Sequence, residues 1–171
     1  MPPDKETATS TAPEPAHEIL VGIDGSPSSL AALEWAARQA ELTGSTLVVV
    51  TTWEWPVFVA QLVFPEGYDP AADARKVLDE ALGTLRKAHP DLTIRSSVVQ
   101  GHPAPVLIEA SGGADLLVVG SRGHGEFPGM LLGSVSMHCV LHAHCPVVVV
   151  HQRPSSDEHD VSQTADTEVL R

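Results

Sequence analysis

The amino-acid sequence predicts an α/β domain in which helices cover both faces of a parallel sheet. Short apolar runs alternate with segments of helical periodicity between residues 19 and 150. The apolar runs are continuous, which is typical of strands that are buried on both faces. The regular alternation of the two kinds of segment indicates βαβ units, whose strands run parallel. A chain of 171 residues is long enough to form one such domain with its own core.

The first strand and helix are predicted from their boundary residues. Residues 19–23 are a short apolar run of the kind that forms a buried strand. Ser26 and Pro27 then form an N-cap followed by a proline in the first helical turn. Apolar residues recur on one face of this helix until Gly44 ends it. The next apolar run, 46–52, is the second strand.

The middle of the chain begins with a long connection, residues 53–68, which is rich in aromatic side chains. We interpret it as a flap over a ligand site or as additional core packing. Asp69, followed by a proline, caps the second helix, whose apolar stripe continues until Pro90. Residues 94–100 form the third strand.

The last third of the chain contains shorter elements. A helix at 103–111 ends at two glycines, and the fourth strand follows at 115–119. A loop then leads to the last helix, 134–141. The final apolar run, Val147–Val150, is the fifth strand.

Charge and composition restrict the partners and the location of the protein. The net charge of −12 disfavours binding to nucleic acid and to anionic membranes. The apolar runs are short and the first residues are polar, so we expect neither a membrane span nor a signal peptide. Two cysteines, Cys139 and Cys145, are too few for a disulfide framework, and a reducing, cytoplasmic location is expected.

The two ends of the chain differ in composition from the predicted domain, residues 17–152. Residues 1–16 and 153–171 are rich in proline, serine, threonine and acidic residues, and they contain no aromatic residue. Such segments lack the apolar surface that folding requires, so both are expected to be disordered tails.

The loop after the fourth strand carries the most informative functional pattern. Gly120 and Gly123 follow the strand directly, and Gly133 with Ser134 begins the last helix. Backbone amides without side chains, next to the positive end of a helix dipole, are the groups that bind phosphate. Arg122 lies between the first two glycines and is suited to neutralise phosphate charge.

This pattern differs from the two common phosphate-binding fingerprints. The chain has no Gly-Lys-Ser/Thr of a P-loop, and Pro128 stands where a Rossmann fingerprint needs its third glycine. In parallel sheets, ligands bind beyond the carboxyl ends of the strands, where the winding direction reverses. Asp24 ends the first strand and Gly120 the fourth, so these residues line one crevice if the two strands are neighbours.

The spacing Gly120-x-x-Gly123-x9-Gly133-Ser134 resembles the pattern of the ATP-binding universal stress proteins. Residues 24–26, after the first strand, and 145–150, at the end, are similar to the same family, and the resemblance covers about residues 17–152. It implies a five-stranded parallel sheet in the order 3-2-1-4-5, the Rossmann-like fold of the adenine nucleotide alpha hydrolases. It also implies a homodimer made through Val147–Val150.

The resemblance further implies that the ligand is ATP, accompanied by Mg, and it implies which residues hold it. Asp24 matches the acid that contacts the ribose and helps to hold a metal ion on the phosphates. The backbone at Thr51 and Thr52 matches the place where adenine is hydrogen-bonded, and Gly101 matches a backbone wall near the sugar and base. The residues that match the triphosphate cradle are Gly120, Arg122, Gly123, Gly133, Ser134 and Val135.

Three functions are compatible with this pattern. The first is a regulatory ATP-binding stress protein, in which nucleotide orders the 120–133 loop and alters a surface that protein partners contact. The second is a slow ATPase or phosphoryl-transfer enzyme, and the third is a sensor of cyclic AMP or another adenine nucleotide. No Ser-His-Asp or Cys-His arrangement supports catalysis, and we interpret His124 and Glu126 as solvated loop residues, with the alternative that they orient a water. The long cradle favours ATP over a ligand with one phosphate.

A cluster of histidines and cysteines near the last helix has two interpretations. His138 and His142 lie four residues apart on one helix face, a spacing that suits zinc. The alternative, which we favour, is a helix end where imidazoles interact with the negative end of the dipole and cysteines pack in the core. The residues concerned are His138, Cys139, His142, His144 and Cys145.

Overall fold

The computed structural model describes residues 17–55, 67–124 and 131–152. Its five strands are β1 (Glu18–Gly22), β2 (Thr46–Trp53), β3 (Ile94–Gln100), β4 (Leu116–Gly120) and β5 (Val147–Val150). Its helices are α1 (Pro27–Thr43), α2 (Pro70–Ala88), α3 (Pro103–Ala110) and α4 (Ser134–His142), with a short 3-10 turn at Ser111–Gly113. The strands form one sheet in the order β3-β2-β1-β4-β5, and every neighbouring pair is parallel. The predicted sheet and its strand order are confirmed.

The helices begin at the residues that the sequence indicated, and α3 and α4 end within one residue of the predicted ends. The Ser26 hydroxyl accepts a hydrogen bond from the Ser29 backbone N–H, at 3.3 Å, and caps α1. Gly44 ends α1 in a left-handed conformation with φ 67°, which a residue with a side chain rarely adopts. The Asp69 carboxylate accepts hydrogen bonds from two N–H groups in the first turn of α2.

Two apolar layers pack on opposite faces of the sheet. On one face, Val21 of β1 packs with buried residues of α1 and α2, including Leu78. On the other face, Leu20 packs with Leu107 of α3 and Cys139 of α4. Neighbouring residues of β1 therefore face different layers, as the pleat of a strand requires. This arrangement confirms that helices cover both faces of the sheet.

Several sequence predictions fall wholly or partly outside the described residues. They include the tails at 1–16 and 153–171, and most of the aromatic connection at 53–68. At the described ends of this connection, the Trp55 ring lies 5.9 Å from that of Trp53 and 6.2 Å from that of Tyr68. No helix in the described ranges combines the length and the apolar character that crossing a membrane requires.

A buried histidine connects the end of α2 to α1. His89 is only 7% exposed, and its Nδ1 lies 2.9 Å from the Glu41 carboxylate. Its Nε2 lies 3.4 Å from the Glu34 carboxylate, which also accepts a hydrogen bond from Arg38. The hydrogen bond with Glu41, joined by that with Glu34, outweighs burial and raises the pKa of His89 above its ordinary value.

We expect the free energy of unfolding to depend on pH through His89. Because its folded-state pKa is raised, its contribution is fully present below the unfolded pKa of about 6.5 and is lost as the pH rises through the folded-state pKa. Urea unfolding at a series of pH values from about 6 to 9, on the native chain and on His89→Gln, measures this. The native chain should lose stability across the series while the variant changes less; parallel curves would contradict the assignment.

Candidate functional site

A cleft of about 230 Å³ opens at the carboxyl ends of the central strands, between the loop after β1, the loop after β4 and the start of α4. β1 and β4 are neighbours in the sheet, so the two loops lie side by side, as a topological switch point requires. The residues that line it are Gly22, Ile23, Asp24, Ser29, Val50, Thr52, Pro103, Leu107, Val119, Gly120, Arg122, Gly123, His124, Gly133, Ser134, Val135 and Ser136.

Asp24 provides an ionised carboxylate at this cleft. Its Oδ1 accepts a hydrogen bond from the Ser26 N–H at 2.9 Å, and its own N–H donates to the Ser29 hydroxyl at 3.3 Å. Burial opposes ionisation, but the hydrogen bonds with Ser26 and Ser29 outweigh it and hold the pKa of Asp24 below its ordinary value. Asp24 is therefore equipped to accept hydrogen bonds from hydroxyls or to coordinate a cation.

Residues 120–122, where β4 ends and the next loop begins, are held by two hydroxyl groups from different helices. Ser28 of α1 donates to the Arg122 carbonyl and accepts from the Arg122 N–H at 3.3 Å. Ser136 of α4 donates to the Gly120 carbonyl at 2.5 Å. The sequence prediction missed both serines, although each lies in the first turn of a helix that follows a predicted site loop. Their hydroxyls determine the course of the backbone that a ligand would meet.

The first turn of α4 presents backbone N–H groups that no side chain caps. Its N-cap residue is Gly133, and no side chain of the described residues caps it, in contrast to α1 and α2. The Gly133 N–H already donates to the Ser121 carbonyl at 2.7 Å. The N–H groups that remain for an anion are therefore those of the first turn, beginning with Ser134 and Val135.

The charged side chains at the cleft come from the loop after β4 and from Asp24. Arg122 is exposed and is the permanently cationic side chain among the described residues that line the cleft. His124 is also exposed, and its Nε2 lies 2.8 Å from the Asp24 backbone oxygen, so it bridges the two loops. The sequence analysis interpreted His124 as a solvated loop residue and did not predict this bridge. Glu126, the other loop residue considered there, lies outside the described residues.

The structure brings most of the predicted site residues to one place. Asp24, Thr52 and all six residues of the predicted cradle line the cleft. Thr51 does not line it, because its side chain points away from the cleft and is only 3% exposed. Gly101 also stands outside the lining, with φ 140°, and its N–H donates to the Trp53 carbonyl at 2.8 Å. For Thr51 and Gly101, the backbone roles implied by the resemblance stay predictions.

An apolar wall of the cleft was not predicted from the sequence. It is made by Val50 of β2 and by Pro103 and Leu107 of α3. Pro103 begins the helix after β3, close to the end of that strand, so the rule that ligands bind beyond strand ends could have indicated it. Such a wall is suited to the face of a flat heterocycle.

Comparisons with protein families and with individual proteins identify the same family. The model of the universal stress protein family matches residues 15–151. Universal stress protein Rv2623 of Mycobacterium tuberculosis (strain ATCC 25618 / H37Rv) is 40% identical over an alignment of 151 residues; the match covers 82% of this chain and 50% of that protein. The chain thus spans about half the length of the curated relatives it matches.

Two solved structures also resemble the chain. A universal stress protein in complex with cAMP is 30% identical, with a TM-score of 0.59, covering 79% of this chain and 96% of that one. The universal stress protein from Archaeoglobus fulgidus in complex with dAMP is 21% identical, with a TM-score of 0.59, covering 80% and 98%. The second likeness bears on the fold alone. The resemblance indicated by the glycine pattern is confirmed: the chain belongs to the universal stress protein family.

Proposed function

We propose that the chain binds an adenine nucleotide, ATP, in the cleft and acts as a regulatory protein of the stress response. The observation that carries this proposal is the glycine N-cap of α4, which leaves helix amides free beside Arg122 and opposite an apolar wall. Phosphate oxygens accept hydrogen bonds from such amides, and a guanidinium offsets their charge. The relative in complex with cAMP, at 30% identity, supports an adenine nucleotide as the ligand class.

In this proposal each wall of the cleft contacts a different part of the nucleotide. The phosphates lie against the six cradle residues and accept hydrogen bonds from the N–H groups of Ser134 and Val135. Asp24 accepts hydrogen bonds from ribose hydroxyls, and the adenine ring packs on the apolar wall near Thr52 and Leu107. The backbone of Thr51 and of Gly101 would complete the surroundings of the base, as the resemblance implies.

Mg fits the same site because Asp24 is held ionised. Hard divalent cations take carboxylate and phosphate oxygens as ligands. The negative charges of a carboxylate and a nearby triphosphate repel each other unless a cation lies between them. Asp24 would hold the ion together with phosphate oxygens, and the ion would supply charge neutralisation there. We therefore expect ATP binding to improve when Mg is present.

Two other functions stay open to experiment. A cAMP sensor is favoured by the cAMP complex of the relative, although a cyclic monophosphate would use only part of the cradle. Slow ATP hydrolysis would need a general base, and the lowered pKa of Asp24 makes it a weak one. His124 is the remaining titratable side chain among the described residues that line the cleft.

Calorimetric titration with ATP, ADP, AMP and cAMP, each with and without Mg, tests the proposal. We expect the affinity to decrease from ATP to ADP to AMP. Arg122→Met should lower the affinity for ATP by about tenfold, because a charge-assisted contact with phosphate is lost. Arg75→Met, an exposed arginine on α2 outside the cleft, is the matched control. Tighter binding of cAMP than of ATP would favour the sensor. Phosphate release that is abolished by Asp24→Ala would favour the ATPase.

We further propose a homodimer through β5, in the cytoplasm. β5 is an edge of the sheet, and its valines pack with both apolar layers. Its Pro146 and Val150 carbonyls accept hydrogen bonds from β4 and the residue after it, at 2.9 and 2.8 Å. Because the backbone groups alternate in direction along a strand, those of Val147 and Val149 face the open edge. A second copy that pairs there satisfies these groups and closes the assembly.

Val149→Pro is expected to convert the dimer to a monomer, because it removes an outward N–H and adds a ring at the edge. Val149→Ala retains that N–H and should stay dimeric. Light scattering at high micromolar concentration measures both. Val148→Pro is a poorer test, since that N–H faces β4 and its loss would damage the sheet itself. A monomeric native chain, or a dimer unchanged by Val149→Pro, would contradict the proposal.

A further inference from the structure

The exposed face of α4 carries two histidines that the nucleotide cleft does not use. His138 and His142 are four residues apart in α4, and their ring centroids are 6.4 Å apart with planes tilted by 39°. Both residues are exposed, and neither lines the cleft. Two histidines at this spacing on one helix face are a recurrent zinc-binding arrangement in proteins.

The hydrogen bond of His138 prepares its ring for a metal. Nδ1 lies 2.7 Å from the Ser134 backbone oxygen, which can only accept a hydrogen bond. Nδ1 therefore carries the proton, and Nε2 keeps its lone pair for an ion. Metal-binding histidines commonly donate their other ring N–H to a carbonyl or carboxylate in this way. The ring of His138 is thus oriented by the same helix that presents His142.

The surroundings of the pair select a class of ion. Cys139 lies between the two histidines in the sequence but is fully buried in the apolar layer between α4 and the sheet. A thiol enclosed in that layer is not accessible to an ion at the helix surface. The described residues contain no group of three or more potential metal-binding side chains that would add an oxygen or sulfur donor. Two imidazole nitrogens suit zinc, nickel and copper, and not magnesium or calcium.

The position within α4 also favours a cation. His142 lies in the last turn of the helix, where the unsatisfied carbonyl groups form the negative end of the dipole. The chain as a whole carries a net charge of −12, which raises the local concentration of cations. The sequence alone favoured a helix end without metal, but the ring proximity and the hydrogen bond of His138 change this interpretation. We propose that His138 and His142 form a two-histidine chelate for a borderline divalent ion such as zinc, nickel or copper, with water in the remaining coordination positions.

This site differs from the magnesium role suggested for Asp24 in donor type and in place. It uses nitrogen ligands on the outer side of α4, whereas Asp24 offers oxygen at the cleft. Zinc at the histidine pair and magnesium with ATP should therefore bind independently. A variant that loses zinc binding but keeps magnesium-dependent ATP binding, or the reverse, would distinguish the two sites.

Calorimetric titration of the full chain, carrying no histidine tag and no nucleotide, with zinc chloride tests the proposal. We expect one ion per chain at this pair, and at least about a tenfold loss of affinity in His138→Gln and in His142→Gln. His17→Gln, which changes an exposed histidine at the start of β1, is the matched control. Circular dichroism of each variant checks that the helices remain. Unchanged zinc affinity in the double variant, or one ion shared by two chains, would overturn the proposal.

Discussion

Gly133→Val is expected to abolish ATP binding while the domain stays folded. A Cβ at Gly133 would lie 3.4 Å from the Arg122 Cα, 3.6 Å from the Ser121 carbonyl oxygen and 3.8 Å from the Gly123 nitrogen. These are close to ordinary contacts, and the residue has φ −72° and ψ 163°, an extended conformation that valine adopts readily. The fold therefore has room for the side chain. The branched methyl groups, however, enter the space between α4 and the loop, where we place the phosphates.

The expected loss is at least a hundredfold in affinity, about 3 kcal/mol, because more than one charge-assisted hydrogen bond to phosphate is displaced. Calorimetry gives the affinity, and the melting temperature without nucleotide gives the stability. Gly83→Val, at a position in α2 with nothing within 4 Å of its Cβ, is the control. ATP affinity in Gly133→Val equal to that of Gly83→Val would show that the phosphates lie elsewhere.

Gly120→Ala is expected to have the opposite profile and to destabilise the domain itself. A Cβ there would lie 2.7 Å from both the backbone carbon and the hydroxyl oxygen of Ser28, and 2.8 Å from its carbonyl oxygen. Backbone atoms of α1 cannot move aside as the end of a flexible side chain can. Ser28 also holds Arg122 through its hydroxyl, so a shift of α1 disturbs the loop as well.

Overpacking of this kind costs about 1–3 kcal/mol or more. In a chain of this length, the upper part of that range lowers the melting temperature by roughly 5–10 °C. Calorimetric melting of the native chain and of Gly120→Ala measures it. Gly83→Ala, which improves helix propensity without a new contact, should be neutral or slightly stabilising. A melting temperature for Gly120→Ala within about 1 °C of the native value would contradict this packing argument.

The fold could be predicted from the sequence because its signals are local. Ser26 and Asp69 cap helices in the structure as their positions indicated, and Gly44 takes the left-handed conformation that ends α1. Continuous apolar runs identified the buried strands. The order of the strands required more than these signals, because the distance along the chain does not determine which parallel strands pair. The strand order was predicted from the family resemblance, which the glycine pattern indicated.

The site was only partly predictable for a related reason. Glycines and Asp24 stand out at strand ends, whereas Ser28 and Ser136 are common residues whose hydrogen bonds arise from tertiary contacts. Val50 and Leu107 form the apolar wall from two separate elements, and nothing in either segment alone indicates this role. Thr51 and Thr52 show the remaining difficulty: neighbouring residues of a strand face opposite sides, and only Thr52 lines the cleft.

The two serines that fix the loop after β4 also make ligand occupancy and folding thermodynamically linked. Ser28 belongs to a helix on one face of the sheet and Ser136 to a helix on the other, so the loop is attached to both apolar layers. Unfolding of either layer releases the loop, and a nucleotide that binds only the folded loop therefore opposes both. With ligand at about a hundred times its dissociation constant, mass action adds about 2.7 kcal/mol to the free energy of unfolding. If ATP is the ligand, as we propose, cells that accumulate ATP would hold this chain folded more firmly than cells depleted of it, and its lifetime would follow their energy state.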